Sequence, residues 1–438
     1  MPTELPDSAG QYRQKNNWRA RGENLLLSAW YPADRKSSFA ALLSLVLLPL
    51  SWLYTAIATH RAKTRCVPGF ATAKRPDALL VVVGNITVGG TGKTPFLLKL
   101  VNELQRRDVR CVVLSRGYGG LHAAQSRLPR WVSIDDAAVL VGDEPLEIAR
   151  AIARMTGSAS PAVMICRNRR RGLDAVLAER ARAALRCDVI LSDDGLQHYA
   201  MPRDIEFALV DGARGFGNRR MLPAGPLREP LTRLSQCDCL VVNGEPTQQL
   251  AGLDAARMTV AIASLRTLAP SASEDKGLPI AAGNAGNEGN EGKEENGAAC
   301  RLASAERVIA VAALGNPQRF FDSVAMLLAS AAPSATLHCR AFADHHAFAL
   351  DDFLALQREL TLTGIPANKA VFILTGKDAV KCEPFAAALP LPCLVAEAGV
   401  TIDDAALQPV FDGLEKLQQW RTARKGPVQA NHATGASV

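Results

Sequence analysis

From Ala78 onward, short apolar runs alternate with stretches that are apolar on one helical face only. The runs are Leu79 to Val83, Arg110 to Leu114, Ala162 to Cys166, Asp188 to Leu191 and Ile205 to Val210. Runs of that length read as strands buried on both faces, and their alternation with amphipathic stretches predicts a parallel sheet wrapped by helices. Between the first two, Leu97, Leu100, Val101 and Leu104 recur at helical spacing, with Arg106 and Arg107 near the helix C-terminus, where the macrodipole favours cations. The pattern stops at residues 269–300, which are poor in apolar residues and rich in Gly, Asn and Glu, and reads there as a disordered insert. It resumes at Val308 to Ala313, Ala370 to Thr375 and Leu394 to Ala396.

One apolar stretch has a different character. Phe39 to Thr59 carries no charge, and at ~1.5 Å per residue it matches a hydrocarbon core of ~30 Å. It predicts a retained membrane helix, not a cleaved leader, because mostly polar residues precede it and Pro49 interrupts it. Arg61, Lys63 and Arg65 follow it and favour a cytoplasmic catalytic region, although Arg35 and Lys36 stand on its other side. The organisation expected is a polar segment 1–38, a membrane helix 39–60, a core 75–268, an insert 269–300, a second smaller α/β lobe 301–424 and a disordered tail 425–438. The fold class is α/β, with a nucleotide-binding, doubly wound, mostly parallel sheet.

Composition adds little beyond this. The chain has 438 residues, 48% hydrophobic and 21% charged, which excludes a chain disordered throughout. Its net charge is +7, with basic patches at Arg61 to Arg65 and Arg167 to Arg171 that suit phosphates or anionic lipids and, on charge alone, nucleic acid. The 10 cysteines contain no CxxC pair and read as structural thiols in a reducing compartment.

Candidate chemistry begins where the first strand ends. Gly84-Asn85-Ile86-Thr87-Val88-Gly89-Gly90-Thr91-Gly92-Lys93-Thr94 lies between a strand and an amphipathic helix, the context of a P-loop. Backbone N–H groups at Gly89, Gly90, Thr91 and Gly92 turn onto phosphate oxygens, Lys93 reaches the β/γ-phosphates and Thr94 ligates Mg²⁺. Thr87 stands where the usual pattern has its first glycine, and Val88 where partitioning-type ATPases carry a second lysine. Asp193 and Asp194 end an apolar run, at the strand terminus that faces the crevice of a doubly wound sheet. They are read as Mg²⁺-linked, against a turn and helix cap at the same residues. Asp143 in GDEP and Asp344-His345-His346 in FADHHAF supply a carboxylate and imidazoles suited to a hydroxyl acceptor, though either segment also serves as a loop cap. The sequence by itself does not bring them together.

These segments, with SRGYGG at Ser115 to Gly120, SDDGLQH at Ser192 to His198 and DGARGFGNRRMLPAGPLREP at Asp211 to Pro230, stand in the order and approximate spacing of the tetraacyldisaccharide 4'-kinases. The resemblance runs from about Glu23 to Gln419. It implies an enzyme that transfers the γ-phosphoryl group of ATP to the 4'-hydroxyl of a tetraacylated glucosamine disaccharide 1-phosphate. The product would be lipid IVA, made at the cytoplasmic face of a bacterial inner membrane without nucleic acid; protein partners are left open.

Carried over residue by residue, Lys93 and Thr94 bind phosphates and Mg²⁺, and Asp143 paired with His345 assists deprotonation of the sugar hydroxyl. Asp193, Asp194, Gln197 and Glu229 organise Mg²⁺, nucleotide or transition state, and Arg116 and Tyr118 line the site. Two rival classes use the same residues: a membrane-associated P-loop switch that hydrolyses ATP or GTP, and a nucleotide-binding scaffold without catalysis. One departure from the family is Gly376 in Thr375-Gly376-Lys377-Asp378, where a glutamate is expected. Neither this segment nor the insert is expected to touch the phosphoryl-transfer core.

Overall fold

The computed structural model describes residues 22, 25–31, 38–65, 77–158, 162–182, 184–268, 278–279, 297–361, 366 and 369–425. The expected single membrane helix is instead two, α1 (Ser38–Val46) and α2 (Leu48–Arg65), broken at Leu47. Pro49 explains the break: it lacks an N–H and is tolerated only in the first turn of a helix, so a new helix starts beside it. Among the described residues no helix is long and apolar enough to cross a membrane. The pair lies along the protein with its hydroxyls inward. Ser44 donates to the Ala224 carbonyl (2.9 Å), Ser51 to that of Met221 (2.8 Å) and Tyr54 to that of Arg228 (3.2 Å). Leu42, Leu45, Val46, Leu50, Trp52 and Leu53 face outward and are more than half exposed. Residues 25–30, placed in the polar segment by the sequence, are helical and bury Ala29 and Trp30.

The first half of the sheet comprises β1 (Leu79–Gly84), β2 (Cys111–Ser115), β3 (Arg130–Trp131), β4 (Val163–Ile165), β5 (Val189–Asp193), β6 (Ile205–Asp211), β7 (Cys239–Asn243) and β8 (Ala256–Thr267). Every residue of β1, β5 and β6 is buried, as expected of central strands covered on both faces. On one face α3 (Lys93–Gln105) buries Phe96, Leu97, Leu100, Val101 and Leu104. Phe96 meets Phe207 of β6 there, with ring centroids 5.1 Å apart. α4 (Asp143–Thr156) packs beside it, and α5 (Arg169–Ala181) covers the opposite face. Burial pushes the Cys111 and Cys187 thiols up to about 12, which leaves them inert as nucleophiles at neutral pH.

The second half follows β9 (Leu278–Pro279) and α6 (Gly297–Ala303), two pieces of structure at the margins of the segment expected to be a disordered insert. Its other residues, and 426–438 of the expected tail, lie outside the described ones. Then come β10 (Arg307–Ala312), α7 (Pro317–Ala331), β11 (Thr336–Ala341), α8 (Leu350–Thr361), β12 (Ala370–Thr375), α9 (Gly376–Cys382), β13 (Cys393–Ile402) and α10 (Gln408–Lys425). The halves belong to a single 13-stranded sheet in the order β11-β10-β12-β13-β8-β7-β6-β1-β5-β2-β4-β3, with β9 on β8. Pairing is parallel except at β3–β4, β8–β9 and β8–β13.

The β8–β13 ladder dictates where the site falls. β7 joins β8 at Ala256 to Met258, whereas β12 joins β13 at Cys393 to Ala396, opposite the other end of β8 near Thr267. The attachment points are roughly 30 Å apart along the ribbon at the usual strand rise. Because β8 and β13 are antiparallel, strands of the two halves run in opposite senses, and their C-terminal edges face each other across the middle of the ribbon. α10 then returns to the first half, packing Val410, Leu414 and Leu417 in the core that holds Leu79.

Candidate active site

A cleft of about 2190 Å³ opens between the two C-terminal edges, with β8 residues Val260 to Ser264 among those lining it. One wall begins at the loop joining β1 to α3. Gly89 and Gly92 have φ of 112° and 89°, values that non-glycine residues rarely adopt. A Cβ on Gly92 would stand 2.4 Å from Asn243 Nδ2. Asn243 instead donates to the Thr91 carbonyl at 3.2 Å, and Asn85 Nδ2 donates to the carbonyls of Thr87 (2.7 Å) and Gly89 (3.3 Å). The first part of the loop is stitched to a neighbouring segment, with Val88 N–H donating to Pro226 and Arg228 N–H to Ile86. Loop carbonyls are thereby occupied from outside. Gly90, Thr91, Gly92, Lys93 and Thr94 border the cleft, and Lys93 opens α3.

Lys93 Nζ lies 3.3 Å from Asn85 Oδ1 and 3.5 Å from Asp194. Asp194, held at a φ of 48°, also pairs with Arg228 at 3.1 Å. Burial pushes its carboxyl up, but the Lys93 and Arg228 charges outweigh burial and hold it well below the usual carboxylate range. Asp193 takes the opposite course: burial, then the negative charges of Glu144 and Asp194, raise its pKa to about 6. Lys93 and Arg169 oppose that rise without cancelling it. Two adjacent carboxylates, with the Thr94 hydroxyl on the same wall, offer oxygen donors of the kind Mg²⁺ takes. That ion commonly takes one or two protein carboxylates and completes its shell with phosphate and water. Among the described residues no group of three or more His, Cys, Asp or Glu is placed to hold a metal.

Glu229 lies elsewhere. It is buried away from the cleft, hydrogen-bonded by Tyr199 and 3.9 Å from Arg233, and burial raises its pKa. Its expected place among metal ligands is not where the fold puts it: its carboxylate is buried and hydrogen-bonded by Tyr199 and Gln197. Gln197 borders the cleft, with its Nε2 donating to the Asn85 carbonyl at 2.9 Å, so it supports the glycine-rich loop. Arg116 and Tyr118 line the rim, and the Tyr118 ring meets the His345 ring edge-on at 5.2 Å.

The opposite wall unites residues that the sequence left apart. Asp143, at the start of α4, accepts a hydrogen bond on Oδ2 from His345 Nδ1 at 3.0 Å, and on Oδ1 from the Glu144 N–H at 3.0 Å. Burial raises the Asp143 carboxyl, but the His345 bond and the Lys377 and Lys381 ammonium groups hold it below its ordinary value. His345 occupies a left-handed φ of 59° after β11. Its pKa is raised, chiefly by the bond to Asp143. His346 turns away to Asp352 at 3.0 Å.

The Thr375 to Asp378 segment, expected to lie clear of the core, is part of this wall. Lys377 Nζ reaches Glu144 at 3.0 Å, Asp344 at 3.4 Å and His345 Nε2 at 3.4 Å. Asp378 is fully buried, accepts from the Ala313 N–H at 2.9 Å and holds Lys381 at 2.7 Å. Gly376 leaves room for Glu147, whose Oε1 would lie 2.7 Å from a Cβ at 376. Burial raises Glu147 to about 8, with Lys377 opposing and Glu397 adding to the rise. The sequence held the signal for Lys377 only as its position two residues past a predicted strand, on the edge that faces a crevice.

A family model described as tetraacyldisaccharide-1-P 4'-kinase matches residues 43–415. A tetraacyldisaccharide 4'-kinase of Pseudomonas fluorescens strain Pf-5 is 38% identical over 384 residues, covering 85% of this chain and 94% of the relative. Another, of Ectopseudomonas mendocina, is 38% identical over 363 residues, covering 83% and 89%. Among solved structures, LpxK from Aquifex aeolicus, crystallised with ATP, superposes with a TM-score of 0.57 at 21% identity, covering 86% of this chain and 99% of that one. That likeness extends over both halves of the sheet.

Proposed function

The chain belongs to the tetraacyldisaccharide-1-P 4'-kinase family, the kinases of lipid A synthesis, and on that premise we propose that it phosphorylates the 4'-hydroxyl of a tetraacylated glucosamine disaccharide 1-phosphate with ATP. The observation that carries this is one cleft lined by Lys93 on one wall and His345 on the other, with buried Asp143 hydrogen-bonded to His345. The glycine-rich loop acts as a P-loop, its free N–H groups and Lys93 taking the β- and γ-phosphates. Asp143 accepts the proton of the sugar hydroxyl. As that oxygen bonds to the γ-phosphorus, the bond from the γ-phosphorus to the bridging oxygen breaks and ADP leaves with the electron pair. Lys93 and Arg228 stabilise charge on the phosphate oxygens, so positioning and electrostatics supply most of the rate. Thr94 and Asp193, with Asp194 beside them, would hold Mg²⁺, which supplies further charge neutralisation at the phosphates.

The acceptor is a lipid, and the outward apolar face of α1 and α2 suits a helix pair lying in the membrane interface. Arg61 and Lys63 at the end of α2 add attraction to an anionic surface, about 1 kcal/mol for each Lys or Arg close to it. We place the enzyme on the cytoplasmic face of the inner membrane, where ATP is available. Tyr54 and Arg61 line the cleft as well, so the interface helices would deliver the headgroup to the site while the acyl chains stay in lipid.

The test is transfer of ³²P from γ-labelled ATP to tetraacylated disaccharide 1-phosphate presented in vesicles. Labelled lipid is expected, and the Leu45→Ser/Trp52→Ser double variant should lose transfer in vesicles while keeping it in detergent micelles. Release of label only as inorganic phosphate, at a rate indifferent to lipid, would instead support a switch ATPase.

A further inference from the structure

Lys377 ends on the one ring nitrogen of His345 that Asp143 leaves unused. Its ammonium lies 3.4 Å from Nε2, while Nδ1 lies 3.0 Å from Asp143 Oδ2. Lysine has three donors and no acceptor, whereas a neutral imidazole has one donor and one acceptor. An N–H on Nε2 would point at an ammonium group; a lone pair there accepts from it. Lys377 is held for this task by Glu144 at 3.0 Å and Asp344 at 3.4 Å, and its side chain is only 12% exposed.

We propose that Lys377 is a positioning residue that caps Nε2 of His345, fixing the imidazole proton on Nδ1 and leaving Asp143 as the acceptor of the sugar hydroxyl's proton. The proposal deepens the kinase reading and rests on it for the identity of the acceptor. The charged and titratable groups facing His345 are Asp143 and Glu144 from α4, Lys377 and Lys381 from α9, Asp344 beside it and Tyr118 from the loop after β2. The bond to Asp143 raises the His345 pKa; burial and Lys377 oppose that rise; the Asp143 and Asp344 charges add to it. Lys377 opposes the second proton that the Asp143 bond favours on the ring, and so keeps Asp143 free to take the acceptor's proton. Without it, Nε2 is free to protonate, and an imidazolium bonded to Asp143 makes that carboxylate a weaker base.

The experiment is a pH titration of His345 by NMR in the full chain, labelled with ¹⁵N-histidine and assigned by the signal lost in His345→Gln, alongside the pH profile of kcat for lipid phosphorylation. In the wild type Nε2 should show the shift of an unprotonated nitrogen and Nδ1 that of a protonated one. Lys377→Met should raise the His345 midpoint by about one unit, with the acid limb of kcat moving by the same amount; Lys377→Gln is the second neutral variant should the methionine chain not fold. Lys377→Arg, which keeps the charge, should leave the midpoint near the wild-type value. A midpoint unmoved in the neutral variants, or moved as far by arginine, overturns the proposal. If the midpoint moves as expected but no lipid is phosphorylated, the cap stands and the kinase reading fails.

Discussion

Lys93 finds Asn85 eight residues away, within one turn of chain, whereas Asp143 finds His345 across 202 residues and Lys377 finds Glu144 across 233. The first wall of the cleft is built from the first half of the sheet and its loops. Its glycines set the backbone path, its carbonyls are held by Asn85 and Asn243, and Asp193–Asp194 arrives on β5, paired in register with β1. The opposite wall has no local scaffold. It forms only when α4 of the first half meets α9 and the loop after β11 of the second. Backbone geometry holds the one wall, side-chain charges the other. Phosphate binding should therefore survive damage to the second wall, and hydroxyl activation should not survive misalignment of the halves.

The sharpest test removes one charge from each wall. Lys93→Ala should lower turnover by about 10³-fold and weaken ATP binding, measured by steady-state kinetics and calorimetry. Asp143→Asn should lower kcat by roughly 10²-fold while leaving ATP affinity within about twofold of wild type. Loss of ATP binding in Asp143→Asn would break the contrast, since the assembled wall would then support the loop as well.

The smallest effect concerns Glu147. Its folded pKa of about 8 lies above its unfolded value of about 4.3, so between those pH values the folded protein holds a proton that the unfolded chain releases. Stability should fall as pH rises through that window. Glu147→Gln should flatten the dependence of Tm on pH between pH 5 and 8 relative to wild type. An unchanged slope would mean that the carboxyl beside Gly376 is ionised throughout.

The glycine-rich loop and strands β1, β2, β4, β5 and β6 were legible because their signals are local: an apolar run, then glycines or a residue pattern of helical period. β8 was not. Most of its residues are part-buried or exposed, and its long partner β13 is distant in sequence. The single membrane helix expected at Phe39 to Thr59 is a docked pair of helices for a related reason. Hydropathy counts Phe39 to Thr59 as uniformly apolar, but Ser44, Ser51 and Tyr54 find carbonyls in the 221–228 segment, so the helices dock by their hydroxyls and keep their leucines outside. The family resemblance placed Glu229 with the metal ligands because it falls in a matching motif; in the fold Arg228 faces Asp194, while the Glu229 side chain is buried on Tyr199. Lys377 was passed over because nothing within ten residues of it is part of the reaction.

The return of α10 to the first half carries a consequence for synthesis. Val410, Leu414 and Leu417 share a core with Leu79 and Ile205, and Arg421 clamps Asp77 at 2.6 Å and Asp188 at 3.1 Å. Gly413 lies against β1 and β6 so closely that a Cβ would meet Ile205 at 2.9 Å and Leu79 at 3.0 Å. A ribosome has therefore made the whole second half before it delivers the helix that closes the first. Until then the flank of β1 lacks its cover, and the nascent chain carries an uncovered apolar surface. The core of the first half is completed last, by contacts as far apart in sequence as Asp77 and Arg421, and such contacts carry the largest loop-closure cost in folding.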